Sequence, residues 1–177
     1  MRVSRRVLGV AALLTATALC PPLAAETKTH TVQVSATILP RLELSVKPET
    51  GADIAFGAIE QPATGQQVSR SVRVSVGVFS NLDRPYHVTQ LVRRPLTNAQ
   101  GETMAVEQFQ VTTPPAALGR TAASVPVTIE PGTPTTLYLS NERGKSNSFQ
   151  ADYILTVTPT TPAGDYRTEI VYTVTSL

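Results

Sequence analysis

The chain has 177 residues with 15 Lys and Arg, 13 Asp and Glu and a single cysteine, a size that suits one domain with a real hydrophobic core. Three of the basic residues, Arg2, Arg5 and Arg6, crowd the N-terminus. Without them twelve Lys and Arg face thirteen Asp and Glu, a net charge of −1, which gives no electrostatic footprint for nucleic acid.

Residues 1–25 read as a signal peptide. The three arginines form a cationic start, Val7 to Leu19 is an apolar run rich in Ala and Leu, and Leu23-Ala24-Ala25 supplies small residues for cleavage. The run is too short and wrongly flanked for a membrane span. Cleavage is expected near Ala25, giving an exported chain with no membrane span, destined for the periplasm, the cell surface or a pilus. Ser4-Arg5-Arg6-Val7-Leu8 also loosely fits a twin-arginine signal. Cleavage removes Cys20, so the mature chain carries no disulfide even in a compartment that permits one, and thiolate chemistry is excluded.

Residues 26–40 form an N-terminal extension or a first strand. Val32, Val34, Ala36 and Ile38 alternate with Gln33, Ser35 and Thr37, a period of two that marks a strand with one apolar face. Pro40 ends the pattern, and residues 41–177 read as the main β-domain. Leu42, Leu44 and Val46 repeat the alternation, and Ile54-Ala55-Phe56 is a short run stopped by Gly57. Val72, Val74, Val76 and Val78 form the cleanest strand, and Tyr86 to Val92 follows the turn around Asn81 to Pro85. Phe109 to Val111, Val125 to Ile129 and Thr135 to Leu139 are further strands, separated by loops at Asn98 to Gly101 and Thr112 to Ala117. The last stretch reads as a strand from Tyr153, a tight connection and a strand from Tyr166. Tyr166, Thr168, Ile170, Tyr172 and Val174 share one face of that final strand. Eight or nine short strands with no helical period predict an all-β fold: an antiparallel, immunoglobulin-like β-sandwich.

No catalytic, cofactor or metal constellation emerges. His30 and His87 are isolated, and Gly144-Lys145-Ser146 lacks the upstream glycine of a phosphate loop, since Leu139 stands there. Asp152, Asp165 and Glu169 are carboxylates without a visible acid–base partner, and no calcium-loop spacing occurs. The chain is therefore expected not to be an enzyme and to need no cofactor.

Laid in order, THTVQVSATILPRLELSV, ADIAFGAI, RSVRVSVGVFSNLDRPYHVTQL and PAGDYRTEIVYTVTSL resemble the secreted spore coat protein U-like family, which includes the pilins of archaic chaperone–usher pili. Phe56-Gly57, Pro85-Tyr86 and the Gly164 turn before Tyr166 occupy the places of the family's short motifs. Residues 93 to 150 match poorly. The family's cysteine pair is replaced by apolar residues around Leu42 and Val76 to Phe79, so the chain resembles a divergent member.

The resemblance implies an incomplete sandwich completed by donor-strand exchange. Val32, Val34, Ala36 and Ile38 would be the donor residues, and the final strand, with Tyr166, Ile170, Tyr172 and Val174, a wall of the accepting groove. Its implied partners are a periplasmic chaperone, an usher and neighbouring copies or other subunits. Residues 31–38 also read as the domain's own first strand, and the resemblance favours the donor reading. The alternative function is a self-contained periplasmic or surface β-sandwich binding a glycan or envelope protein, with Tyr86, Tyr138 and the polar loop 141–147 as candidate contacts.

Overall fold

A computed structural model describes residues 28–177; the expected signal peptide and Cys20 lie outside the described residues. The chain divides between Thr37 and Ile38 into two units. In the first, residues 28–37 carry no strand, and Val32 and Val34 are 72% and 93% exposed. The alternating run at 31–38, read as a strand, is thus not one in this structure.

The second unit holds nine strands: β1 (Leu42–Pro48), β2 (Val68–Ser80), β3 (Tyr86–Val92), β4 (Phe109–Thr112), β5 (Arg120–Thr121), β6 (Val127–Thr128), β7 (Thr135–Leu139), β8 (Asn147–Val157) and β9 (Ile170–Ser176). One 3₁₀ turn, Val106–Gln108, precedes β4. The strands form two antiparallel sheets, ordered β1-β2-β8-β4-β6 and β5-β7-β3-β9, the sandwich that the alternating pattern predicts.

The pattern works because each strand turns one face inward. On β2 the valines at 72, 74, 76 and 78 are all buried, while Ser71, Arg73 and Ser75, alternating with them, are exposed. Phe149, Ala151, Tyr153 and Leu155 of β8 complete that inner face. From the other sheet, Tyr86, Val88 and Val92 of β3 meet Leu137 and Tyr138 of β7. Tyr138 stacks on Phe149 with centroids 4.8 Å apart, joining the sheets. Val88 pairs with Tyr138 but Thr89 with Thr136, so Leu137 is the extra residue of a β-bulge. Leu137 and its neighbour Tyr138 both turn into the core, which simple alternation forbids.

Four expectations need correction. Ile54-Ala55-Phe56 is not a strand; it belongs to the long β1–β2 connection, and only its Ile54 and Phe56 side chains reach the core. The run Val125 to Ile129 keeps only β6, because Pro126 cannot donate to a ladder. The final strand begins at Ile170, and Tyr166 and Thr168 precede it. β8 and β9 also lie in different sheets, so the segment between them is a twelve-residue crossover and not a tight connection. Pro159 and Pro162 interrupt the ladder there. A turn with Thr161 N–H donating to the Thr158 carbonyl (3.1 Å) redirects the chain.

Leu137 is fully buried, so Leu137→Ala is expected to cost about 2–5 kcal/mol. Chemical denaturation checks this: the midpoint should fall at unchanged slope. A loss below about 0.5 kcal/mol would contradict the bulge assignment.

Candidate functional site

The two sheets do not close equally at their two sides. At one side the edge strands are β5 and β6, two residues each. At the other, β1 and β9 are seven-residue strands, each paired along one edge only and approaching each other across the sandwich. Leu42, Leu44 and Val46 on β1 and Ile170, Tyr172 and Val174 on β9 point inward and pack on the core, yet all six are only half-buried. Between them, Glu43, Ser45, Lys47, Thr173 and Thr175 are exposed.

Where these edges meet, a cleft of about 1230 Å³ opens into the sandwich. Val46 and Pro48 form one wall, Ile170 and Tyr172 the other, and Met104, Phe109 and Leu155 are among the core residues lining it. Ile54, Phe56 and Ile59 of the β1–β2 connection also line it, with Phe56 set edge-on to Phe109 at 6.2 Å. Gly57 follows at φ +70°, a left-handed turn suited to glycine. Asp53, Gln61, Asp165, Arg167 and Glu169 supply its charged and polar lining. The site is apolar within and polar around it.

One polar thread crosses the core beside it. Gln90 of β3 pairs in register with Tyr172 of β9. The Tyr153 hydroxyl from the opposite sheet donates to Gln90 Oε1 and lies 2.6 Å from the Tyr172 hydroxyl. Burial pushes the Tyr172 phenol up to about 12 and Tyr153 well above its ordinary value. Both phenols are therefore neutral hydrogen-bonding groups at physiological pH. Gln90 is 1% exposed, and its Nε2 has no hydrogen-bond partner among the described residues. Sequence reading missed Gln90 because the position follows the strand's apolar alternation; only the structure shows a glutamine inside.

The other motifs have structural places. Pro85 sets Tyr86 into the core, its hydroxyl donating to the Lys145 carbonyl at 3.1 Å. The Tyr138 hydroxyl donates to the Leu118 carbonyl at 2.8 Å. Both rings are fully buried, so neither offers the contact surface that the alternative function assigns them. Gly164 packs on the Asn98 side chain, and the Tyr166 hydroxyl donates to the Pro162 carbonyl at 2.9 Å. Gly144-Lys145-Ser146 closes the loop before β8: the Gly144 N–H donates to the Asn141 carbonyl, and Ser146 Oγ bonds both the Ser80 N–H and its carbonyl. A Cβ at Gly144 would collide with the Arg84 carbonyl.

The carboxylates are held apart. Asp152 takes a two-pronged ion pair from Arg73 at 2.7 and 3.1 Å, and Glu169 pairs with Arg93 at 3.4 Å. Among the described residues no group of three His, Cys, Asp or Glu side chains comes together as metal ligands. Leu42 pairs across the ladder with Ser80, Leu44 with Val78 and Val46 with Val76.

No protein-family model and no curated protein matches the chain. A solved structure similar to it is that of a family 123 glycoside hydrolase from Clostridium perfringens, described in a study of glycolipid glycan hydrolysis. The likeness covers 75% of this chain at 13% identity and a TM-score of 0.44, and the chain spans 25% of that protein's length. The expectation that this chain is not an enzyme is corrected by that finding, because the similar structure belongs to a hydrolase. At this level the likeness carries neither a reaction nor a catalytic residue to this chain.

Because the folded state holds the Tyr172 proton to about pH 12 and an unfolded tyrosine loses it near pH 10, the unfolded state binds fewer protons between these values. Stability is therefore fully present below pH 10 and lost as pH rises toward 12. Tyr172→Phe is expected to flatten that decline in denaturation midpoints measured from pH 9 to 12. A decline of unchanged steepness would contradict the burial of this phenol.

Proposed function

We propose that this chain is an exported structural subunit of a surface fibre, of the pilus or spore coat U-like kind, and that copies join by β-strand donation. In this reading the domain is an immunoglobulin-like sandwich short of one strand. The open cleft between β1 and β9 receives an extended segment from a neighbouring copy, and Val32, Val34, Ala36 and Ile38 are that segment's inward residues.

The observation that carries the reading is the two long edge strands, each paired along one edge only, with half-buried apolar inner faces beside one cleft. Long flat edges invite pairing, and proteins usually blunt them with short strands, charges or proline. The opposite side of the sandwich follows that rule, with two-residue strands and Pro126 beside β6. β1 follows it in part, carrying Glu43, Lys47 and Pro48. β9, IVYTVTS, has no charge and no proline, so it is the edge suited to main-chain pairing, with β1 as a side-chain wall.

The donor matches in length and chemistry. Eight residues extended span about 27 Å and seven span about 23 Å. The segment has no proline between Thr31 and Leu39, so it can sustain a ladder. Burying Val32, Val34 and Ile38, each more than 70% exposed, contributes about 1.5–3 kcal/mol apiece against the cost of association. In strand addition the backbone supplies affinity and alternate side chains supply specificity. A chaperone would cap the cleft first, and an usher would pass subunits on for exchange. Because donor and acceptor are different surfaces, each contact is head-to-tail, and it builds an open fibre where successive copies do not close a ring.

Val34→Asp in the full chain, expressed for export, is expected to abolish high-mass species on size-exclusion chromatography while preserving the β-sheet circular dichroism of the domain. Deleting residues 26–38 should do the same. Undiminished assembly by either variant would overturn the reading.

A further inference from the structure

We infer that Asn81 is a positioning residue that commits segment 31–38 to another copy, by barring the turn through which the segment would close its own cleft. The inference rests on the strand-donation reading and adds to it the direction of donation.

Asn81 follows β2 directly and makes three hydrogen bonds to the residues entering β1. Its N–H donates to the Arg41 carbonyl at 3.2 Å. Its Oδ1 accepts the Arg41 N–H at 2.6 Å, and its Nδ2 donates to the Leu39 carbonyl at 3.0 Å. Leu42 pairs with Ser80 in the ladder, so Arg41 opposite Asn81 continues that ladder by one step. The chain after Asn81 then turns away through Asp83 at φ +50°, which removes the backbone partner that Leu39 would have needed. The Asn81 side chain supplies it instead, an amide standing in for a missing stretch of strand.

The Arg41 side chain is anchored as well. Its guanidinium lies 5.4 Å from the centroid of the Phe79 ring and pairs with Glu43. Pro40, between the two clamped residues, has no N–H to offer and a fixed φ. Residues 39–41 are thereby held on the β2 side of β1, prolonging it beyond its paired end.

Filling its own cleft would require segment 31–38 to reverse direction and run back between β1 and β9. Only Leu39, Pro40 and Arg41 separate Ile38 from Leu42, so these three would have to make the whole reversal. So short a reversal calls for a residue that accepts a left-handed backbone, usually glycine or asparagine, and none stands at 39–41. The turn would also break both side-chain bonds of Asn81. A neighbouring copy's cleft demands neither change.

The test uses the full chain, expressed for export, unfolded and refolded at several concentrations, with mass read by light scattering and amide protection by hydrogen exchange. For the wild type, assembly should rise with concentration. Asn81→Ala removes both side-chain bonds, and the ratio of monomer to assembled chain is expected to rise on the order of tenfold. Residues 31–38 of that monomer should be protected independently of concentration. Asn81→Ala assembling like the wild type, or giving monomers with unprotected 31–38, would overturn the inference.

A second variant keeps the clamp intact. A six-residue Gly/Ser insertion between Ile38 and Leu39 leaves every Asn81 contact in place and lengthens only the tether, and it should likewise yield self-closed monomers. Unchanged assembly with the insertion would also overturn the inference, whether or not Asn81→Ala folds. A wild-type chain that never assembles would remove the strand-donation reading itself, whereas wild-type assembly with unaltered variants removes only the role of Asn81.

Discussion

The structure depends on a mismatch between the two sides of its sandwich. A sheet must either pair its edge strands, cover them or make them unattractive, because each presents a row of unsatisfied N–H and C=O groups. At the β5/β6 side the strands are too short to template another chain. At the β1/β9 side they run seven residues each and turn Leu42, Leu44, Val46, Ile170, Tyr172 and Val174 toward a core that does not fully cover them. The buried valines of β2 and the Tyr138–Phe149 stack close the middle of the sandwich. Among the described residues nothing comparable closes this side, and the cleft reaches core residues such as Phe109 and Leu155.

The Tyr153–Gln90–Tyr172 thread belongs to the same region. Buried polar networks are costly when any member is unsatisfied, and the Gln90 amide nitrogen finds no hydrogen-bond partner among the described residues. Gln90 sits in register with Tyr172, a residue of the cleft wall. The thread ties the β9 edge to the opposite sheet through Tyr153, so the wall of the cleft is held in place by the core. A rigid wall reduces the ordering cost that an incoming strand would otherwise meet.

Much of this was legible in the residues. The alternation of Val72 to Val78 and of Tyr86 to Val92 fixes two central strands and their inward faces, because one buried face leaves no freedom of register. The same alternation turns Ile170, Tyr172 and Val174 to the core side. What escaped was non-local. Leu137 and Tyr138 both turn inward through a bulge set by the neighbouring strand, and the crossover after β8 depends on which sheet the chain enters next. Ile54 and Phe56 look like a strand but pack from a loop, because no neighbour offers them a ladder. Asn81 reads as an ordinary turn residue; its bonds to Leu39 and Arg41 span some forty positions and leave no local signal.

The central claim is that residues 31–38 of one copy lie in the β1/β9 cleft of another. Disulfide trapping tests it most directly, because Cys20 is the only cysteine in the sequence and can be replaced by serine without touching the described domain. In that background, chains carrying Val34→Cys are mixed with chains carrying Tyr172→Cys, refolded together and oxidised. The expected result is a mixed disulfide joining the two kinds of chain, with neither alone forming it and with the yield lost when residues 35–38 are made Gly/Ser. Absence of the mixed disulfide, while both chains refold and their thiols react freely with a soluble reagent, would contradict strand donation.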